Sequence, residues 1–497
     1  MRKSNTFFIL FCMLVTFLPI VLSGQHYDRN WPIGILEYPG NSLYGNAIIH
    51  FDGNNTTVAK HDLKMNFERT VAAMSDSSGA LLFYSNGCYI ATANGDTMQN
   101  GEGINPGTIH DWICPENGYN VQRGALVLPY PGQPSRYIMF HLGARYNPND
   151  GISIGPFYYS VIDMAMANGA GMVVSKNTVL LEDQPESFTA IRHGNGRDWW
   201  VICSEYGSNR YFRYLLSPSG VSLVDTPIAT GPIAHCSRTG TLTASLDGSK
   251  LARTQNCRTV VLDFDRCTGT LAFSVAFERS PNSFAGGGAV FSKDGQRLLL
   301  SEHMAILQAD LISTNPTMDT VVPFDSLIGR GLQIMERTPN GKLYFSLPHR
   351  GRAVPVLEGF DDNAISFNKT GIFLPVYSVR SLPFFPNYQL LDAAGTACDT
   401  LGIDTPVPTL EIVSNPPYIS LYPNPSTGIF TLEWIGLVEA NCQISVTDIL
   451  GRTVLSRTWA SERITLDIGA QPPGAYWVQV KDEKGVFNFS KLLVKER

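Results

Sequence analysis

Charge is scarce along this chain. Asp, Glu, Lys and Arg make up 16% of 497 residues, the formal net charge is -6, and no run of like charges occurs. Binding through phosphate neutralisation needs a concentrated basic surface, so a nucleic-acid partner is not expected. CxxC, HExxH and Walker sequences are all missing, and the nine histidines are scattered. These absences remove the common zinc and nucleotide-phosphate signatures, and no metal or cofactor is expected. Apolar runs are short, with one exception at Phe7 to Leu22. That run is about sixteen residues, below the roughly twenty that cross a bilayer. Basic Arg2 and Lys3 precede it and small Ser23 and Gly24 follow, the layout of a removable signal peptide over residues 1–24. Cys12 sits in the middle of the run and not at its end, which argues against lipoprotein processing. The mature chain is expected to be soluble and to lack a membrane span.

What is abundant points to strands and turns. The sequence has 45 Gly, 31 Pro and 11% aromatics, a composition that favours short strands joined by tight turns. A turn followed by an apolar strand recurs at Ser78 to Phe83, Asn195 to Trp200, Asp247 to Leu251, Asp294 to Leu298 and Asn340 to Tyr344. Gly196, Gly248, Gly295 and Gly341 fall 52, 47 and 46 residues apart, and the 117-residue gap from Gly79 to Gly196 has room for one more copy near Ser135 to Met139. That period fits a four-stranded propeller blade. Asp-Gly and Asn-Gly supply the positive φ of a tight hairpin, and a blade that cannot cover both its faces must stack on neighbours. Residues 31 to 390, at roughly fifty per blade, predict about seven blades. Strand-like runs at Ile33 to Phe51 and Ala364 to Leu390 are expected to complete one shared blade. Thr and Pro over residues 394–418 predict an extended linker.

Two family resemblances follow from these motifs. Leu421-Tyr422-Pro423-Asn424-Pro425, Gly428, Val446 to Arg452, Pro473 to Val478 and Lys491 to Lys495 occur in that order. The order resembles the C-terminal sorting domain of the type IX (Por) secretion system of Bacteroidetes. It implies an immunoglobulin-like β-sandwich over residues 419–497, Sec export followed by type IX secretion, and the secretion machinery and its sorting peptidase as partners. The product is expected to be secreted or attached to the outer-membrane surface. Residues 25–393 resemble the WD-like (WD40-like) or lactonase-like propellers of exported and gliding-associated Bacteroidetes proteins, on Ala73 to Gly87, Met98 to Gly101, Ala289 to Gly295 and Leu382 to Tyr388. The expected fold class is therefore all-β, a propeller followed by a small sandwich. Asp96-Thr97-Met98, Asp319-Thr320-Val321, Asp325-Ser326-Leu327 and Asp399-Thr400-Leu401 resemble Bacteroidetes O-glycosylation sites.

Cysteine and acid/base groups leave more open. Eight cysteines remain once Cys12 leaves, and in an exported chain they permit disulfides. Cys257 and Cys267 bracket one strand-like run, so they would lie about 30 Å apart if it were extended and pair only if it bends. Gly151 to Gly155 fits GxSxG, but Pro156 and a strand-like run follow where a nucleophile elbow needs a helix, so a turn is expected. Gly286-Gly287-Gly288 lacks the spacing of a phosphate cradle. Glu205, Glu302, Glu336, His303 and His349 fall near the repeats and are candidate acid/base groups, with solvated strand ends as the plain alternative. Arg210 to Tyr214 reads as an exposed alternating strand or a sugar-stacking surface. Asp52 to Asn55 and Asp361 to Asn363 read as turns and not as calcium loops. No residue is assigned to catalysis, cofactor or metal. Binding of a protein or glycan, as an adhesin or gliding accessory, is expected over a secreted carbohydrate-active hydrolase or lyase, and over a scaffold of a surface assembly.

Overall fold

A computed structural model describes residues 25–36, 40–148, 151–233, 240–279, 288–302, 305–313, 316–323, 332–362, 364–380, 382–401, 418–435, 442–459, 461, 463–482 and 488–496. The expected signal segment, His303, Asp325 to Leu327, Gly286, Gly287 and most of the expected linker lie outside them.

Among the described residues, seven antiparallel sheets succeed one another from Asn30 to Ser378. Sheet 1 holds Asn30–Ile35, Gly45–Asp52 and Asn55–His61, and sheet 2 holds Ala72–Ser75, Leu81–Ser85 and Ile90–Thr92. The first strands of sheets 3 to 7 are Ala125–Pro129, Pro185–Arg192, Thr241–Ala244, Ala289–Phe291 and Met335–Arg337. Their last main strands are Met172–Leu181, Gly220–Leu223, Leu271–Glu278, Met318–Pro323 and Ser366–Ser378. This is the propeller arrangement. Each first strand is at least half buried and carries no exposed residue, whereas a last strand such as Met318–Pro323 carries exposed residues. The seven-sheet region contains one short α-helix among the described residues, Thr108–Ile113.

The turn repeat has a common chemistry. Ser245 Oγ donates to Asp247 at 2.6 Å, Ser292 to Asp294 at 2.5 Å, and Thr338 to the Asn340 side chain at 2.6 Å. In each the acidic or amide oxygen also accepts a backbone N–H two residues on, an Asx turn. The glycine that follows has φ 71°, 68° or 82°, a region that favours glycine. Every predicted copy, including Ser135 to Met139, opens the second strand of its sheet: Leu81–Ser85, Arg136–Asn147, Trp199–Glu205, Lys250–Thr254, Arg297–Ser301 and Leu343–Phe345.

Three readings are corrected. Ile33 to Phe51 and the Ser366–Ser378 strand belong to different sheets, 1 and 7. They meet face to face through a shared apolar core of Trp31, Ile33, Ile49, Tyr344 and Leu374 and not through one hydrogen-bonded ladder. Ser153 of the GxSxG pattern is no turn. It lies in the strand Gly151–Asp163, paired with Arg145, because the hairpin reverses earlier. In Arg210 to Tyr214, Tyr211 and Tyr214 are 1% and 2% exposed, so neither offers a face to a sugar.

Cys88 pairs with Cys114, and Cys267 with Cys398. Cys257 is also disulfide-bonded, while Cys203 and Cys442 are buried thiols. The Cys267–Cys398 bond fastens the first residues of the expected linker to the turn before the last strand of sheet 5. C-terminally, two sheets of three and four strands enclose Leu421, Phe430, Ile444, Trp459, Tyr476, Val478 and Leu493, a small β-sandwich. Its Asp448 to Arg452 turn is held by Asp448 accepting the Leu450 and Arg452 amides, and it leaves Ile449 and Leu450 exposed.

Candidate functional site

The first strands of sheets 3 to 7 meet around a centre that side chains and chain segments fill. Arg123 stands just before the first strand of sheet 3 with φ 48°, an uncommon backbone state for a non-glycine residue. Its guanidinium donates to Thr243 Oγ1 of sheet 5 at 2.9 Å, and to Met335 O and Glu336 Oε2 of sheet 7 at 2.6 and 2.8 Å. It also lies 4.7 Å from the centre of the Phe384 ring. One side chain thus ties three sheets together across the axis.

The Phe384 to Leu390 segment occupies the trailing ends of the first strands. Tyr388 Oη donates to Val127 O at 2.7 Å, Asn387 donates to Leu246 O at 2.7 Å, and Arg192 donates to Tyr388 O at 2.8 Å. Tyr27, from the start of the described chain, stacks edge-on against Tyr388. Between this segment and sheets 4 to 7 lies a cavity of about 750 Å³, inside the roughly 300–1,000 Å³ of small-ligand sites. Asp28, Arg123, Glu336, Arg337, Asp361 and Phe384 are among its walls.

The cavity carboxyls are unusual. Burial pushes Glu336 up to about 7 against the opposing pull of Arg123 and the Phe385 amide. Burial likewise raises Asp28 to about 6, and its Oδ1 is enclosed without a hydrogen-bond partner. The rim is tied differently. Arg337 pairs with Asp361 at 2.6 Å and donates to Phe291 O at 2.8 Å, while the Lys293 amide donates to Asp361 at 2.8 Å.

At the leading ends of the same strands, ionic groups are saturated by one another. Glu186 accepts from Arg253 at 2.6 Å and from Gln255. Arg253 also donates to Ser208 O and Glu205 O, both at 2.7 Å. Arg279 reaches Glu302 at 2.6 Å and the carbonyls of Gln255 and Ser301. Although burial acts to raise it, bonds from Arg210 and Ser208 hold Glu205 below the usual carboxylate range.

Of the acid/base candidates among the described residues, Glu336 alone lines the cavity. Glu205 and Glu302 belong to the leading-end ion pairs, and His349 is exposed in a turn of sheet 7. Asp361 reaches the cavity rim through its ion pair. Asp28 and Arg123 carried no motif; the available signal was a lone Arg directly ahead of the apolar run Ala125 to Leu128. Among the described residues no group of His, Cys, Asp and Glu is arranged to hold a metal. Thr97, Thr320 and Thr400 of the Asp-Thr triplets are exposed.

Residues 420–495 match the family described as the secretion system C-terminal sorting domain. The chain is thus exported by type IX secretion, to the cell surface or beyond. No helix among the described residues is long and apolar enough to cross a membrane. None of the curated proteins compared matches the chain. Similar solved structures include a functionally unknown protein from Desulfotomaculum acetoxidans, at 13% identity and TM-score 0.42, covering 71% of this chain and 99% of that one. A putative 6-phosphogluconolactonase from Bacteroides uniformis is 11% identical with TM-score 0.40, covering 72% and 99%. PorZ, a surface component of the type IX secretion system of Porphyromonas gingivalis, is 11% identical with TM-score 0.28, covering 91% and 68%. Likenesses this distant say nothing of activity; the propeller is read from the chain's own sheets.

Proposed function

We propose that this chain is an exported surface or secreted propeller protein that binds a protein or glycan ligand, as an adhesion or gliding-associated module. A signal peptide over residues 1–24 starts export, residues 25–393 form the propeller, 394–418 the linker, and 419–497 the sorting domain read by the secretion machinery and its peptidase. The seven sheets act as seven WD-like blades, the ring closing where the core of sheet 7 meets Trp31 and Ile49 of sheet 1. The observation that carries the binding reading is the division of polar groups. Those at the leading ends are neutralised in buried pairs, whereas the cavity keeps a polar, partly unsatisfied wall beside aromatic rings.

Asp28 and Glu336 favour a second reading, a secreted carbohydrate-active hydrolase or lyase. Glycoside hydrolysis takes two carboxyl groups, one of them protonated near neutral pH, and both side chains stand at one cavity with raised pKa. The mature chain from Gln25, presented to protein and glycan arrays, separates the two. Retention with no new reducing ends or unsaturated products is expected; products that disappear in Glu336→Gln would put the enzyme first, and no retention on either array would overturn the binding reading.

A further inference from the structure

We infer that the secretion machinery holds this chain by the Ile449-Leu450 turn of the sandwich, the two side chains seating in an apolar recess of that machinery. The C-terminal strand serves the fold of the domain and is not itself read. This rests on the sorting-domain reading above and names the contact.

Folding does not call for the turn as it stands. It joins the strands Cys442–Asp448 and Thr453–Trp459, and tight turns favour Gly, Asn, Asp and Ser. Here the tip carries two large aliphatic residues, Ile449 at 76% and Leu450 at 73% exposed. Exposed aliphatic side chains scattered singly are common. An adjacent pair is not, and each of these is more exposed than any other large apolar side chain among the described residues of the sandwich.

The tip is also held in place. Asp448 Oδ1 accepts the Leu450 and Arg452 amides at 3.0 and 2.9 Å, and Oδ2 accepts from Arg452 Nε at 2.7 Å. Gly451 closes the turn with φ 80°, which glycine adopts without strain. Ile444 and Val446, both 0% exposed, anchor the strand behind it. An apolar pair fixed in advance loses little freedom on docking. Protein contacts have an apolar centre and a polar rim, and the exposed Arg452 stands beside the pair as such a rim.

The C-terminal strand is committed to the fold instead. Asn488–Lys495 pairs along its length with Gly474–Asp482. Near its end the Ser426 amide donates to Val494 O and the Glu496 amide to Ser426 O, both at 2.9 Å. Leu493 is 0% exposed, and Lys495 Nζ donates to Gly469 O at 2.8 Å. A strand bonded on both sides at its end leaves no free edge there for a receptor to extend.

The test expresses the full chain in its own host and compares the amount at the surface and in the medium with that in the periplasm. Ile449→Ser with Leu450→Ser should lower export at least about tenfold, since seating one aliphatic side chain in an apolar site is worth roughly that much in affinity. The purified double variant should melt within about 3 °C of the wild type, as expected for surface substitutions. Leu450→Lys alone should act in the same direction, and it decides the matter if the double variant fails to fold. Lys491→Gln with Val494→Thr alters exposed side chains of the C-terminal strand and should leave export unchanged. Undiminished export of the turn variants, or loss of export in a folded Lys491 and Val494 variant, would overturn the inference and leave the sorting reading standing. Unchanged export after removal of residues 419–497 would overturn both.

Discussion

Sheets 2 to 4 and sheets 5 to 7 bury their interiors in different ways. The first group shares one continuous apolar core running from Met74 and Phe83 through Phe140 and Phe157 to Trp199 and Leu216. A fully enclosed polar group within it is neutral: His141, between Asn105 at 2.6 Å and Ser160 at 2.9 Å, with its pKa lowered to about 3 by burial. Sheets 5 to 7 pack through small separate clusters, one around Leu251 and Leu262, one around Phe291 and Leu300, and one around Met335 and Leu357. The gaps between those clusters hold Arg253–Glu186, Arg279–Glu302 and Arg123–Glu336. The cavity lies on this ionic side, between the sheets and the 384–390 segment. A continuous apolar core leaves no room for a polar recess, whereas sheets joined by ion pairs can keep one open.

If that contrast is right, breaking one ionic joint should cost as much as a large core deletion. Glu186 and Arg253 have side chains 0% and 3% exposed. Glu186→Leu strands the guanidinium, and a loss of about 3–5 kcal/mol is expected from a buried charge left alone. Adding Arg253→Met should restore much of it, because two apolar groups of similar size need no partner. Denaturant unfolding of the single and double variants checks this. A double variant no more stable than the single would show that the joint is not primarily ionic.

The disulfide at Cys267 gives the next largest effect. It spans 131 residues to Cys398, and Arg266 beside it donates to Leu391 O, so it fastens the end of the segment that walls the cavity. Replacing both cysteines by serine should cost about 2–5 kcal/mol. Hydrogen exchange should rise first over 384–398 and much less in sheets 2 to 4. Uniform loss of protection would instead mean that the bond serves the whole ring.

How much of this was legible in the sequence differs between the same two groups. Sheets 5 to 7 announce themselves, because each second strand follows a Ser or Thr, then an Asp or Asn and a Gly, at a near-constant period. Sheet 3 does not. Its hairpin strands Arg136–Asn147 and Gly151–Asp163 are longer than a blade repeat predicts, which is why GxSxG looked like a turn. The sorting domain was readable because its motifs are local. The site was not, since Asp28, Arg123, Glu336 and Phe384 come from four distant places and only the ring brings them together. Periodic positions report packing; the cavity groups stand off the period, and Glu336 was visible only as one carboxylate among several.

The smallest expected effect, a pH dependence of stability, tests the ionic side at the enclosed Asp28 carboxyl. Asp28 holds its proton in the folded chain up to about pH 6 because burial disfavours the charged form, whereas the unfolded chain releases it near pH 4. Over that window the native state binds more protons, so stability falls as pH rises, and the loss is complete above the folded value. Glu336, raised to about 7, extends the same slope upward. Carboxyls held low, such as Asp163 and Asp265, act in the opposite sense, but only below pH 4. Through the two raised carboxyls, the difference between the melting temperatures at pH 5 and pH 8 should therefore shift by roughly 2–4 °C in favour of pH 5. Asp28→Asn should shrink that difference, chiefly by raising the value at pH 8. His141 acts in the opposite sense below about pH 6.5, since the unfolded chain takes up its proton there while the buried imidazole stays neutral in the folded chain. An unchanged difference in Asp28→Asn would mean that Asp28 is solvated in the folded chain, and the cavity would then lose its one unsatisfied acceptor.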